Sequence, residues 1–238
     1  MPKDIILCIF GDIHGDWDTT NKIMEKEPAN LYLCAGDISD ANYQYSTLNR
    51  PLWTLYGNHE NWDIVASCQE NKIRVGNLNF IYPGKTYEIN GIRFGGLGGN
   101  YSPKFYTYQR KNLPFPRNKD NRNGKADKRR HFVEEEVNLC KEKLCGLDIF
   151  LTHEAPSFYR KNMRFSDQGS GEIIDDLVKT IKPKLHVWGH HHRYFTGFID
   201  NIKSIGLAYP KVSYLKINLT QEKIFLIETQ TGMKTDEV

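Results

Sequence analysis

At five points along the chain an apolar run gives way to a short loop of metal-ligand residues, and this repetition constrains the fold more than any total does. The loops are Gly11-Asp12-Ile13-His14-Gly15, Gly36-Asp37-Ile38-Ser39-Asp40, Gly57-Asn58-His59-Glu60, Thr152-His153-Glu154 and Gly189-His190-His191-His192. The runs before them, among them Ile5 to Phe10, Leu31 to Ala35 and Leu185 to Trp188, are apolar at successive positions. That is the pattern of strands buried on both faces. In an open sheet, loops at the carboxyl ends of such strands converge on one crevice. The five loops are therefore expected to meet.

The rest of the chain supports an α/β reading. Pro51 to Tyr56 and Leu147 to Leu151 read as further strands. The spacing predicts helices over Trp17 to Glu27, closed by Pro28, and over Glu172 to Ile181, closed before Pro183. A third helix is expected from Phe132 to Leu144, with Val133, Val137, Cys140 and Leu144 on one stripe. Strands alternating with helices imply a partly parallel sheet. Tyr87 to Phe94 reads as a hairpin, because alternating residues flank Asn90-Gly91, a dipeptide that accepts a type I′ turn. The tail from Tyr194 to about Thr229 is strand-rich. Asn100 to Arg130 departs from this rhythm, being rich in Tyr, Pro, Asn and Lys/Arg. A connection of that length is usually a functional loop or a disordered one.

Composition narrows the class. With 238 residues, 39% hydrophobic and 26% charged, the chain suits one large globular domain over 1–238, with an insertion around 100–130. A net charge of +3 does not by itself call for a nucleic acid or a membrane. The apolar run Ile5 to Phe10 ends at Gly11-Asp12, too soon for a signal peptide. No stretch approaches the roughly 20 apolar residues of a membrane span. The five cysteines form no CxxC pair and read as buried free thiols of a reducing cytosol. A cytoplasmic protein without a membrane partner is expected.

Residues i and i+2 of an extended chain point to one side, so Asp12 and His14 are expected to face one centre, and likewise His190 and His192. A glycine ahead of four of the five loops lets the backbone approach its neighbours. Carboxylates, imidazoles and one amide oxygen, without thiolate, suit Mn, Fe, Zn, Ni or Co better than a structural zinc. The set is too large for one ion. Two divalent ions about 3.5–4 Å apart, sharing a carboxylate, would use it fully. Other polar residues read as structural: His186 among apolar neighbours, His131 at a helix start, His191 between two ligands, and Asp16 and Glu60 as loop or outer residues.

In their order these residues resemble the calcineurin-like metallophosphoesterases, whose pattern runs D-x-H, GDxxD, GNH[DE], H and GHxH. All five elements are present over residues 12–192. The resemblance implies two mixed β-sheets packed as a sandwich flanked by helices, four layers in all. It implies that Asp12, His14, Asp37 and His192 hold a first metal, and that Asp37 bridges to a second completed by Asn58, His153 and His190. His59 would stand outside the coordination shell near the leaving-group oxygen, oriented by Asp40. The implied cofactor is a pair of divalent ions, manganese first and Fe, Zn, Ni or Co otherwise. The implied reaction is hydrolysis of a phosphate ester by a metal-bridging hydroxide.

Gly57-Asn58-His59-Glu60 also matches the protein Ser/Thr phosphatases, but Ala41-Asn42 stand where those enzymes carry Arg-Gly. Ile92 to Tyr101, Arg130-His131-Phe132 and Thr152-His153-Glu154 are similar to the RNA lariat debranching enzymes and their prokaryotic relatives, although eukaryotic members commonly have Cys where Asp12 stands. Arg117, Lys119, Arg122, Lys125, Lys128, Arg129 and Arg130 concentrate positive charge against Asp120 and Asp127 alone, just after Tyr101, Phe105, Tyr106 and Tyr108. Cations interleaved with aromatics suit a nucleotide or a single-stranded nucleic acid, while the plainer reading is a solvated loop. Asn100, Tyr101, Arg129 and Arg130 are the candidate substrate contacts. A phosphodiesterase is expected. The rivals are a phosphomonoesterase and a non-catalytic scaffold of the same fold, although scaffolds have typically lost the histidine that His59 represents.

Overall fold

A computed structural model describes residues 4–118, 125–164 and 169–236. Strands β1 (Ile6–Phe10), β2 (Leu31–Cys34), β3 (Leu52–Thr54) and β4 (Leu78–Phe80) run parallel in one sheet. Beyond β1 the sheet continues antiparallel through β11 (Ser213–Asn218), β12 (Lys223–Glu228) and β13 (Lys234–Asp236). The second sheet has β6 (Ile92–Leu97), β7 (Ile149–Thr152), β8 (Leu185–Trp188) and β10 (Ile202–Gly206) in parallel. It is edged by antiparallel β5 (Tyr87–Ile89) and β9 (Phe195–Ile199). Both sheets are mixed, as expected.

The apolar runs explain the layering, because successive side chains on a strand face opposite ways. Leu7 and Ile9 turn inward beside Leu31, Leu33, Leu215 and Ile217, and meet Phe94, Ile149, Leu151, Leu185, Val187 and Ile205 of the other sheet. Cys8, Phe10, Tyr32 and Cys34 turn outward, under Ile23 and Met24 of helix α1 (Trp17–Lys26) and Val65 of α2 (Trp62–Gln69). On the far side Phe150 lies under Val137 and Cys140 of α3 (Glu134–Lys143) and Ile174, Leu177 and Val178 of α5 (Ser170–Ile181). Helix, sheet, sheet, helix: the central strands β1, β2, β7 and β8 are buried on both faces, which is why they carry no polar alternation, while the edge strands β5, β9 and β13 stay partly or wholly exposed.

Local signals act where they were read. Asp16 caps α1 by accepting from Thr19 N. Asn90 and Gly91 both have positive φ, 52° and 78°, between the paired Ile89 and Ile92. Val133, Val137, Cys140 and Leu144 are all buried. Four elements were not anticipated: α2, β4, α4 (Ser157–Asn162) and β13. Each is short, and β4 gains its order from parallel pairing with β3 rather than from its own pattern. Within the insertion, short 3₁₀ turns form at Arg110–Asn112 and Lys128–Arg130. Lys119, Asp120 and Arg122 lie outside the described residues.

Candidate active site

Strand ends of both sheets feed one place. The Asp12 loop leaves β1, the Asp37 loop leaves β2 and the Asn58 loop lies beyond β3; from the other sheet come Asn100 after β6, His153 after β7 and His190 after β8. Asp12, Asp37, Asn58 and His153 are buried, His14, His190 and His192 are partly buried, and His59 is exposed.

Among the described residues the donor atoms of the expected ligands fall into two groups, and a further group of Glu154, His190 and His191 shares His190 with the second. Atoms of Asp12, His14, Asp37 and His192 lie within 4.8 Å of one another, as do atoms of Asp37, His153 and His190. Asp37 belongs to both. Asn58 joins the second group, its Oδ1 3.1 Å from His153 Nε2.

One expectation from extended geometry is corrected. His190 and His192 do not face a common centre, because His192 enters the first group and His190 the second. Their φ angles are 70° and 54°, so the loop coils through left-handed backbone instead of running extended. His14 and Asp37 share that region, at 46° and 48°. A non-glycine residue there costs on the order of 1–3 kcal/mol and persists where the surroundings impose it, typically at functional sites.

Glycines make the convergence possible. A Cβ on Gly57 would lie 2.0 Å from Asp37 Oδ1, and one on Gly189 would lie 2.3 Å from Asp12 Oδ1. Each glycine thus leaves room for a carboxylate from a different loop.

The donor set fits divalent cations. His14 Nε2 and His192 Nε2 face each other at 3.2 Å, with Asp12 Oδ2 2.9 Å from the second and Asp37 Oδ2 3.6 Å from the first. Lone pairs converging in this way are satisfied by a proton or a cation between them. Burial alone would raise the Asp37 carboxyl, yet His153, His14 and His59 hold it well below the ordinary range. Burial would likewise lower His153, but Asp37 and Asp12 push it up to about 10. The buried carboxylates thus require positive charge. Burial lowers His190 to about 4, leaving it in the neutral form that ligates metals.

An outer ring of polar groups braces the loops. Glu60 accepts from Ile38 N, Gly57 N and Tyr45 OH, tying the second loop to the third; burial and then Asp37 raise it to about 8. Glu154 accepts from Tyr101 N at 3.1 Å and Arg160 Nη2 at 2.5 Å, with His191 Nε2 at 3.8 Å. His186 lies buried between Thr152 Oγ1 and Ser204 Oγ, and His131 stacks on Phe105 two residues before α3 is capped. His59 donates its backbone N–H to Asp37 Oδ1 at 2.6 Å, and its ring stands edge-on to His14 at 5.3 Å. Asp40 Oδ1 accepts from Asn42 N and Gln44 N at 2.8 Å each, closing its own loop. No Asp40–His59 hydrogen bond occurs among the described residues.

The four candidate substrate contacts divide. Asn100 and Arg130 are neighbours through Asn100 N donating to Arg130 O at 3.0 Å. Burial lowers the Arg130 pKa, while the charges of Asp37 and then Tyr43 counter it. Arg130 Nε and Asn100 Oδ1 are buried with no hydrogen-bond partner among the described residues. Tyr101 packs its ring on Tyr106 and Phe132. Arg129 is engaged by Asp127 at 2.6 Å and Asp63 at 2.8 Å, which ties the insertion to α2. Tyr45, Arg160 and Tyr209 escaped the sequence reading, since nothing beside them in the chain marks them.

A family model described as calcineurin-like phosphoesterase matches residues 6–194. No curated protein sequence gives a significant match. Among solved structures, one from Thermus thermophilus is 12% identical with a TM-score of 0.62, covering 96% of this chain and 100% of that one. Purple acid phosphatase from yellow lupin is 16% identical with a TM-score of 0.56, covering 99% of this chain and 53% of that one. The anchor of the inner membrane complex of Plasmodium is 11% identical with a TM-score of 0.56, covering 98% and 88%. At such identities the likeness is one of fold.

Proposed function

The chain belongs to the calcineurin-like phosphoesterases, hydrolases of phosphate esters, and on that premise we propose that it cleaves phosphodiesters of nucleotides or nucleic acid with two divalent cations, manganese first. One observation carries the reading: Asp37 serves both ligand groups, so two ions would share its carboxylate. Asp12, His14 and His192 complete one position, and Asn58, His153 and His190 the other. When bound, such cations acidify a water and neutralise charge on the phosphoryl oxygens.

The side chains supply the rest. Arg130, whose buried Nε–H has no hydrogen-bond partner among the described residues, grips a non-bridging phosphoryl oxygen, and Asn100 lies beside it. His59 stands exposed beside His14 and donates a proton to the departing oxygen. Asp40, whose Oδ1 is held by its own loop, would orient the His59 imidazole only once that ring turns toward it, since the two share no hydrogen bond among the described residues. The second ester substituent of a diester lies toward the insertion, where Tyr101 and Tyr106 offer rings for a base. We read 1–238 as one catalytic domain with 100–130 as its substrate-side insertion. Cys8, Cys34 and Cys140 are buried thiols as expected, whereas Cys68 is half-buried and Cys145 is exposed; a reducing cytosol is the compartment that suits free thiols of this kind. Among the described residues no helix is long and apolar enough to cross a membrane.

The test compares manganese-loaded protein on a bis-aryl and a mono-aryl phosphate, then on linear, cyclic and branched nucleotides. A kcat/KM at least tenfold higher for the bis-aryl ester is expected. Preference for the mono-aryl ester would reassign the protein to phosphomonoesters.

A further inference from the structure

The loop after β10 brings a hydroxyl to the back of one candidate ligand. Leu207 N donates to Trp188 O at 3.0 Å, which lays this loop across the end of β8. Gly11 admits it, since a Cβ there would lie 2.2 Å from Ala208 O. The next residue is Tyr209. Its OH is 2.7 Å from His192 Nδ1, and its ring stacks on that imidazole with centroids 4.3 Å apart and planes at 26°. It also stands edge-on to His14 at 5.7 Å. Hydrogen bond and stack together fix both the tilt and the rotation of His192.

The tautomer follows from the other side of the ring. His192 Nε2 points at Asp12 and His14, so a cation among them takes the Nε2 lone pair. The ring proton then resides on Nδ1 and is donated to the Tyr209 oxygen. His153 shows the same arrangement with a different partner: Nδ1 lies 2.9 Å from Ala35 O while Nε2 faces Asn58 and Asp37. A ligating histidine characteristically gives its second ring N–H to such an acceptor, which holds its orientation and strengthens it as a ligand.

We propose that Tyr209 is a positioning residue for the first metal, acting only through His192, and that its hydroxyl distinguishes the two metal positions in affinity. This rests on the two-cation reading above. His153 relies on a backbone carbonyl that no substitution removes, whereas His192 relies on one side-chain hydroxyl. Of these two acceptors only the Tyr209 hydroxyl can be removed by a side-chain substitution, so Tyr209→Phe should weaken the first position selectively.

The experiment titrates manganese into metal-free protein, wild type and Tyr209→Phe, by calorimetry with electron paramagnetic resonance to count coupled and isolated ions. Tyr209→Phe keeps the ring and its stack. In the variant, one ion should bind as in wild type and the other 10- to 100-fold more weakly, so that an isolated-ion spectrum persists where wild type shows a coupled pair. Unchanged binding of both ions, or equal weakening of both, would overturn the proposal. A wild type that never binds two ions would instead sink the two-cation reading on which it stands. Wild-type protein gives a second readout: loaded with diamagnetic zinc, it should show the His192 Nδ1 proton as a downfield, slowly exchanging NMR resonance. A ring with no such proton overturns the proposal even if the variant fails to fold.

Discussion

Replacing Gly57 with alanine strikes the shared ligand directly. Gly57 does not lie in the left-handed region, so alanine meets no backbone penalty there and the whole effect is steric. The new Cβ would sit 2.0 Å from Asp37 Oδ1, 2.6 Å from its Cγ and 2.5 Å from its backbone N. Non-bonded heavy atoms settle about 3.5 Å apart, so the carboxylate must retreat by about 1.5 Å. Metal–ligand distances tolerate only about 0.2 Å, and Asp37 Oδ2, the oxygen nearest His14 and His153, is carried along with the carboxylate, so neither ion keeps it. The retreat also breaks the 2.6 Å bond from His59 N to Asp37 Oδ1. A hydrogen bond to a charged group is worth about 1.5–3 kcal/mol, and overpacking adds about 1–3 kcal/mol. Set against the metal-bound form these reach about 2.5–6 kcal/mol, and at about 1.4 kcal/mol per decade the loss in metal affinity is roughly 60-fold or more. Calorimetric titration of metal-free protein with manganese, paired with thermal melts with and without the ion, measures it. Gly57→Ala should show little manganese-induced rise in Tm. Two ions bound within threefold of wild-type affinity would refute the steric argument and the place of Asp37 between the groups.

Other substitutions separate the remaining roles. His59→Ala should keep both ions and lose roughly 10²- to 10⁴-fold in kcat; loss of metal instead would show that His59 is a ligand. Asp37→Asn should lose metal itself, and a variant that kept both ions with full activity would disprove the shared carboxylate. His186 sets an acid limit on stability: burial pushes its pKa down to about 3, against about 6.5 when unfolded. The unfolded chain takes up this proton as pH falls below about 6.5 while the folded chain refuses it until about 3, so stability declines across that window, by about 2 kcal/mol at pH 5. Urea unfolding at pH 7 and pH 5 should show a smaller drop for His186→Asn than for wild type, and an equal drop would locate the acid sensitivity elsewhere. Binding of a single-stranded oligonucleotide should weaken steeply between about 50 and 200 mM salt, and a flat response would remove nucleic acid from the candidate substrates.

Chemistry carried within one side chain, and patterns spanning a few neighbours, were legible before any coordinates. Asp12, His14, Asp37, Asn58, His153, His190 and His192 stand out as candidate ligands because carboxylate, imidazole and amide groups recur at the ends of apolar runs. The Asn90-Gly91 turn and the Val133 to Leu144 stripe are equally local, and β1, β2 and β8 announce themselves because burial on both faces leaves no polar position. Allocation was hidden. His190 and His192 separate into different groups through φ angles that no spacing rule reports, since those angles are imposed by packing between loops. Arg129 and Arg130 are adjacent in the chain, yet Asp63 and Asp127 capture the first while the second keeps a buried Nε with no hydrogen-bond partner among the described residues. Tyr209 meets His192 only because β10 lies beside β8 and Gly11 leaves a gap for Ala208. Which groups are present is a property of the chain; which of them touch depends on contacts between segments far apart in it, and these form only when the two sheets close on each other.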